Sequence, residues 1–139
     1  MAEVKFFPNS VTVEEVLVDS LQYLNSLDEP SVSTNGKCSY RGVNDTMCVV
    51  GRYIPDEKYG VEMEGKTVID LVRLSDKCLP YWAHTNEMVE LLESLQDVHD
   101  ASCPSTSKMF AESLMQRYEI NGIDLEGKFF NNRSDSVDH

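Results

Sequence analysis

The chain is short of basic residues. Its 139 residues include 12 Lys and Arg against 24 Asp and Glu, so the formal net charge is −12. A field of this sign repels phosphate backbones and anionic lipids, which argues against direct binding of nucleic acid or membrane. It favours a partner protein with a basic surface, although solubility alone also accounts for an acidic chain.

Long apolar segments are missing as well. No run approaches the roughly 20 apolar residues of a transmembrane helix. The first ten residues, MAEVKFFPNS, lack the apolar region of a secretory signal peptide. We therefore expect a cytoplasmic protein, in whose reducing compartment the four cysteines stay thiols.

The sequence also lacks the motifs that bind cofactors. Its glycines never form the Gly-x-Gly-x-x-Gly or Walker pattern that cradles phosphate. There is no strip of alternating basic and aromatic residues for single-stranded nucleic acid, and no compact Cys-x2–4-Cys pair for zinc. We therefore expect no cofactor.

What the sequence does contain is helical periodicity. Thr12 and Glu15 have the spacing of a capping box. An apolar stripe follows at helical spacing, made of Val13, Val16, Leu17, Leu21 and Leu24. Asp28-Glu29-Pro30 is expected to end this helix, because a residue before proline avoids the helical region.

Two further helices are predicted in the second half of the chain. The clearer one covers Asn86–Asp100 and has the apolar face Met88, Leu91, Leu92, Leu95 and Val98. The other follows Pro104 and ends at Asn121-Gly122, and its expected inward residues are Phe110, Ala111, Leu114, Met115 and Tyr118. Shorter helices are expected after Pro55 and over Val68–Leu74.

A hairpin is predicted between these helices. Its arms are Lys37–Gly42 and Met47–Ile54, joined by a turn over residues 43–46, so that Arg41 lies opposite Cys48. The alternative is that Cys48–Tyr53 is already helical, since periodicity cannot decide short apolar runs. Ile123–Phe130 is expected to add a short strand or a packed arm.

These elements predict a mainly helical α+β fold, with three or more helices packed around a small β-hairpin. Residues 1–130 are expected to form one domain, because chains of this size seldom divide. Residues 131–139 are polar and are expected to fray. The assembly is expected to be a monomer or a homodimer.

Two enzymatic alternatives use the cysteines and histidines. A thiol hydrolase would pair Cys48 with His99, with Asp97 or Asp100 orienting the ring. A zinc site would use the set Cys78, His84, His99 and Cys103. A buried thiol and a hydrogen-bonded core histidine explain the same residues without chemistry.

The best candidate for interaction is the acidic face of the helix at 86–100. Its carboxylates are Glu87, Glu90, Glu93, Asp97 and Asp100. An array of this kind can stand in for phosphates and occupy a DNA-binding cleft. The alternative is an ordinary solvated face. A third possibility is a pocket for a small signalling molecule. The net charge disfavours an anionic one unless Arg41, Arg52 and Lys58 gather in one pocket.

The stretch from Cys38 to Tyr59 is the densest in residue types that are hard to exchange. It contains Tyr40-Arg41-Gly42, Cys48, Gly51 and Ile54-Pro55-Asp56-Glu57. Glu64-Gly65, Leu95-Gln96 and His99-Asp100 follow further along. Together these motifs resemble a family of small uncharacterised proteins from bacteria and their phages. The turn differs, because Asn44-Asp45-Thr46 replaces an Asp-Gly turn.

The resemblance implies no known activity for Tyr40, Arg41, Cys48, Asp56, Glu57 or His99. It does imply a phage or mobile-element origin, and small acidic phage proteins often block a host protein, including defence proteins. The leading hypothesis is therefore a non-enzymatic protein in the bacterial cytoplasm that binds a basic host protein and inhibits it.

Overall fold

Helices make up most of the structure. The computed structural model describes residues 4–5, 7, 11–73 and 78–132. In this part of the chain the helices are α1 (Val13–Asn25), α2 (Val68–Val72), α3 (Asn86–Asp100), α4 (Pro104–Arg117) and α5 (Lys128–Asn131). The antiparallel strands are β1 (Arg41–Gly42) and β2 (Thr46–Met47). The mainly helical α+β fold around a small hairpin is thereby confirmed.

α1 begins where its sequence predicts. The Thr12 hydroxyl accepts the Glu15 N–H at 3.1 Å, and the Glu15 carboxylate accepts the Thr12 N–H at 2.9 Å, which completes the capping box. All five residues of the predicted stripe are buried. The helix ends at Asn25, before the predicted end, because the Leu27 N–H turns back to the Leu24 carbonyl and tightens the chain.

The hairpin is shorter than predicted, and its register differs by one residue. Arg41 lies opposite Met47 rather than Cys48. The turn therefore has three residues instead of four, and Asn44 and Asp45 within it both have φ of 59°. Asparagine and aspartate tolerate this left-handed region better than most residues, so the turn needs no glycine.

The predicted second arm, Met47–Ile54, is wrong beyond its first residue. Gly51–Tyr53 forms a 3-10 turn, which agrees in part with the helical alternative for this segment. The chain turns here because Gly51 packs directly on the Tyr40 backbone. A Cβ added at Gly51 would lie 1.9 Å from the Tyr40 carbonyl oxygen. Only glycine permits this approach.

α3 spans the predicted residues and buries the whole of its predicted apolar face. The Thr85 hydroxyl caps it by accepting the Met88 N–H at 3.2 Å. α4 packs against α3, and the Ser107 hydroxyl donates to the Val98 carbonyl at 2.7 Å across their interface. These contacts leave the opposite face of α3 toward solvent.

One predicted core residue of α4 lies at the surface. Ala111 and Leu114 are buried, and Met115 packs partly against the core, but Phe110 remains 38% exposed. At about 100° per residue, the apolar side chains between positions 109 and 115 span about two-thirds of the helix circumference. They cannot all face α3, and Phe110 lies at the edge of the buried arc.

α4 ends at Arg117, before the predicted Asn121-Gly122 stop. Glu119 has a positive φ of 56°. The Glu119 N–H donates to the Gln116 carbonyl, and the Ile120 N–H donates to the Met115 carbonyl at 2.8 Å. These two bonds form a Schellman motif in which glutamate occupies the position that glycine usually fills.

Of the two alternatives predicted for the C-terminal segment, a short strand or a packed arm, the structure has the packed arm. The described residues 123–130 contain no strand, and the arm ends in α5. Phe129 and Phe130 are buried, with their rings edge to face at 5.1 Å. The Gly127 N–H donates to the Asn25 side chain at 2.7 Å, which fixes the arm to the end of α1.

The two short helical segments predicted between the hairpin and α3 are also present within the described residues. Pro55 precedes a 3-10 turn over Asp56–Lys58, and α2 covers most of the segment predicted at Val68–Leu74, whose last residue lies outside the described part. The tail expected to fray lies outside it from residue 133 onward. None of the helices in the described ranges has the length and apolar character needed to span a membrane.

Gly51→Ala tests the close approach at the centre of the fold. We expect it to lower the free energy of unfolding by about 1–3 kcal/mol, because the added Cβ meets a backbone oxygen that cannot rotate away. Urea unfolding measures the change. Gly60→Ala is the matched control, since the atoms nearest to its Cβ would belong to the flexible Glu62 carboxylate. Equal effects of the two substitutions would contradict the assignment.

Candidate functional site

The outer face of α3 carries the five carboxylates that the sequence singled out. Glu87, Glu90, Asp97 and Asp100 are exposed, and Glu93 is half-buried. Four of them, Glu90, Glu93, Asp97 and Asp100, occupy the side of the helix opposite its buried apolar face. Glu87 lies at the N-terminal end, nearer to Thr12 and Trp82. From the first to the last, the five carboxylates extend over about 20 Å of helix at 1.5 Å per residue. We call this surface the acidic face.

Three of these carboxylates line a polar cleft of 320 Å3. Glu93, Asp97 and Asp100 form one wall together with Gln96. The opposite side is built by Tyr40, Gly65, Lys66, Thr67 and Val68. Lys66 is the one basic residue among the described residues that line the cleft. The cleft is thus an open, mostly acidic surface.

The charge of the acidic face is only partly neutralised within the chain. Glu90 lies 3.5 Å from the Arg117 guanidinium, and Asp100 is hydrogen-bonded to His99. Among the described residues, Glu87, Glu93 and Asp97 have no ion-pair partner. Partial burial, and then the neighbouring Asp100 and Glu93 carboxylates, raise the pKa of Asp97. The close approach of the Asp97, Asp100 and Glu93 carboxylates concentrates negative potential, which attracts cationic groups.

The cleft is held in shape by the motif around Tyr40. The Glu64 carboxylate accepts the backbone N–H of Tyr40 at 2.8 Å and that of Arg41 at 3.1 Å, as well as the Tyr59 hydroxyl at 2.6 Å. The Tyr40 hydroxyl donates to the Lys66 carbonyl. Tyr40 and Glu64 are therefore structural residues that fix one wall of the cleft.

Arg41 and Asp56 of the motif also hold the fold. The Arg41 guanidinium lies 2.7 Å from the Asp56 carboxylate and donates to the Ile54 carbonyl at 2.7 Å. It also stacks 4.6 Å above the ring of Tyr59. Glu57, the next motif residue, is exposed.

The two arginines proposed for an anion pocket have separate partners. Arg41 is paired with Asp56, whereas Arg52 is buried and lies 2.7 Å from Asp19. Lys58 is exposed. Because each guanidinium already has its own carboxylate, a small anion would have to compete with an existing ion pair.

His99 is fully buried and both of its ring nitrogens are engaged. Its Nε2 accepts the Ser31 backbone N–H at 2.9 Å. Its Nδ1 lies 2.7 Å from the Asp100 carboxylate. Because Nε2 accepts, the proton of the neutral ring belongs on Nδ1 and is donated to Asp100. His99 thus joins the loop at Ser31 to the end of α3.

Cys38 is the thiol that the fold brings to His99, and the sequence did not indicate it. The Cys38 sulfur, a ring nitrogen of His99 and an Asp100 oxygen all lie within 4.8 Å of one another. A β-bridge between Cys38 and Val32, next to Ser31, creates this proximity. No sequence signal could have shown it, because the pairing depends on a bridge between two loop segments.

The hydrogen bonds of His99 disfavour both chemical uses of this group. A base for the Cys38 thiol would need a free nitrogen lone pair, and Nε2 is occupied by the Ser31 N–H. A metal on Nδ1 would move the ring proton to Nε2, where it would face that same N–H donor. The group therefore fits neither a catalytic pair nor a metal site well.

The thiol proposed as a nucleophile, Cys48, lies in the core. It is fully buried, and its sulfur accepts the Gly51 N–H at 3.3 Å. Burial raises the pKa of the Cys48 thiol well above its ordinary value. Within the described part of the chain, the group of three at His99 contains Cys38 and not Cys48.

The four residues of the proposed zinc set do not form a common ligand group in the described chain. Cys78 is buried near the Leu71 carbonyl, and His84 contacts the Leu79 carbonyl at 3.3 Å. Cys103 lies at the N-terminus of α4, where it serves as N-cap residue.

Thiol reactivity tests these placements. Hydrogen bonds from the Ser105 and Thr106 hydroxyls lower the pKa of Cys103 to about 7. We therefore expect its alkylation by iodoacetamide to rise with a midpoint near pH 7, while the buried Cys48 and Cys78 react only in urea. Mass spectrometry reads each cysteine separately.

The matched variants remove the two hydroxyl groups at the α4 terminus. Ser105→Ala with Thr106→Val is expected to move the midpoint for Cys103 toward the ordinary thiol value of about 8.5. Cys38, which is exposed, serves as the internal reference. An unmoved midpoint, or labelling of Cys48 in the folded chain, would contradict the structure.

Comparison with known proteins adds no relative. No protein-family model matches the chain. Searches of curated proteins and of solved structures likewise give no significant match. The resemblance to small bacterial and phage proteins therefore stays a prediction. The geometry of the acidic face and of the cysteines and histidines is the basis for the proposed function.

Proposed function

We propose that the chain is a non-enzymatic protein that binds a basic surface of a partner protein through the acidic face of α3. The observation that supports this is the grouping of its carboxylates on one rigid helix. Among the described residues, Glu87, Glu93 and Asp97 have no ion-pair partner, whereas Asp19 and Asp56 are bound to arginines. Other unpaired acids, such as Asp28 and Glu112, lie outside α3.

Rigidity makes this surface suitable for recognition. α3 is the longest described helix, and its inner face is packed against α1, α2 and α4. Carboxylates on such a helix start from fixed backbone positions, so little backbone order has to be gained on binding. The net charge of −12 also steers a basic partner toward the chain.

The partner class follows from the chemistry of the face. Carboxylates at helical spacing resemble the phosphates of a nucleic acid, so a DNA- or RNA-binding surface is a suitable target. Occupying that surface would inhibit the partner. The resemblance to bacterial and phage proteins makes a host protein in the bacterial cytoplasm, including a defence protein, the expected partner.

The geometry supports an enzyme less well. His99 uses both nitrogens for structural hydrogen bonds, and Cys48 is buried in the core. Binding of a small anion has similarly weak support, because Arg41 and Arg52 are already paired with carboxylates.

Charge reversal on the acidic face tests the proposal. The variant carries Glu90→Lys, Glu93→Lys and Asp97→Lys, and Glu87 is kept because a carboxylate in the first turn stabilises α3. Tagged chain is used to capture a partner from bacterial lysate. The variant is expected to bind that partner at least about tenfold more weakly, a loss of about 1.4 kcal/mol or more.

The control carries the same change of net charge away from the face. It has Asp28→Lys, Glu57→Lys and Glu112→Lys, all at exposed positions. We expect it to bind within about twofold of the original chain, and we expect capture to weaken as salt rises. Equal losses in the two variants would show an unspecific charge effect, and binding unaffected by the face variant would overturn the proposal.

A further inference from the structure

A second surface feature lies directly beside the acidic face. α3 and α4 leave a groove of 190 Å3 between them on the outer side. Its lining residues are Ser94, Asp97, Phe110, Ser113, Leu114 and Arg117. Leu114 and the exposed edge of Phe110 make the lining largely apolar, and the rim carries the charges of Asp97 and Arg117.

The groove exists because small side chains face each other across the two helices. Ser94 on α3 and Ser113 on α4 leave space that larger residues would fill. Phe110 stands beside this space and keeps 38% of its surface exposed. A partly exposed aromatic side chain beside a depression is a common anchor point for a partner.

The groove and the acidic face are one continuous surface. Asp97 lines both the groove and the polar cleft on the other flank of α3. Glu90 reaches toward Arg117 at the groove rim, and both side chains of this pair are largely exposed. A segment lying along α3 would therefore meet carboxylates and an apolar depression together.

The size and charge of the groove indicate its occupant. Its 190 Å3 is below the roughly 300–1,000 Å3 of ordinary ligand pockets, so it suits one inserted side chain better than a small molecule. The carboxylates beside it select for positive charge near that side chain. Both features match an amphipathic segment that lies in a groove between helices.

We propose that the partner binds through a basic amphipathic segment whose apolar side chain inserts between Phe110 and Leu114 while its Lys or Arg residues contact the acidic face. This inference rests on the proposed function and adds to it the kind of segment that is recognised. The apolar anchor supplies affinity and the carboxylates supply charge selectivity.

The test uses two synthetic peptides of equal length and charge. One places leucine on one helical face, at i, i+3, i+4 and i+7, and lysine elsewhere, and the other has serine in place of every leucine. Fluorescence anisotropy at low ionic strength measures their binding to the full chain. We expect the leucine peptide to bind at least about tenfold more tightly, because it alone can bury an apolar side chain.

Three variants locate that preference. Phe110→Ser removes one wall of the groove, and Ser113→Leu fills it, so both are expected to abolish the preference for leucine. Met109→Ser is the matched control, because Met109 is an exposed apolar neighbour that does not line the groove. Loss of the preference in all three variants, or in none, would overturn the groove as the anchor site.

Other results separate this inference from the proposed function. Equal binding of the two peptides, lost in the Glu90/Glu93/Asp97 variant, would overturn the apolar anchor and leave the acidic face as the site. Binding that ignores the acidic face would overturn both. Self-association that disappears in Phe110→Ser, seen by sedimentation, would show that a second copy of the chain occupies the groove instead.

Discussion

The contact between Gly51 and the carbonyl oxygen of Tyr40 organises the centre of this fold. It leaves no room for a side chain at Gly51 and turns the chain out of the hairpin immediately after Met47. The turn brings the Val50 N–H to the Gln96 side chain of α3 at 3.0 Å. One flank of α3 is thereby held by the motif segment.

The other flank of α3 is held by α4. The carboxylates of α3 therefore lie on its remaining, solvent-facing side. Elsewhere in the described chain, some acids serve the structure. Asp19 compensates the buried Arg52, and Glu64 binds the backbone N–H groups of Tyr40 and Arg41. For a buried ion pair such as that of Arg52 with Asp19, removing one partner lowers the free energy of unfolding by about 3–5 kcal/mol. Glu93 and Asp97 have no comparable structural task, and the acidic face differs from the other exposed acids because its carboxylates are grouped on one rigid helix.

Residues that suggest chemistry in the sequence therefore hold the fold together. His99 is the clearest case, because the Ser31 N–H occupies one nitrogen and Asp100 the other. His99 lies close to Cys38, as in a catalytic pair. Its Nε2, however, already accepts the Ser31 N–H and has no free lone pair to take the thiol proton. The direction of a single backbone N–H decides between a structural and a chemical histidine here.

The features of the fold that depend on neighbouring residues in the sequence could be predicted from it. Capping residues and periodicity indicated α1 and α3, and with α3 the arrangement of its carboxylates. The hairpin register was wrong because three-residue and four-residue turns are both compatible with the sequence. The strand after Met47 was wrong because the contact between Tyr40 and Gly51 is not visible in propensities. The proximity of Cys38 and His99 required the fold.

The groove could be predicted only in part. The sequence shows that the apolar residues of α4 spread over too wide an arc to be buried together. The sequence does not show which of these residues remains exposed. Phe110 does, because α3 covers the side of α4 that contains Ala111 and Leu114.

The most direct measurement is chemical labelling of carboxylates in the free chain and in its complex with a captured partner. Carbodiimide coupling to glycine ethyl ester, read residue by residue by mass spectrometry, reports which acids the partner covers. Binding through α3 predicts that Glu93 and Asp97 lose labelling in the complex while Glu57 and Glu112 keep it. Unchanged labelling of Glu93 and Asp97, with protection elsewhere, would contradict the acidic face as the binding surface.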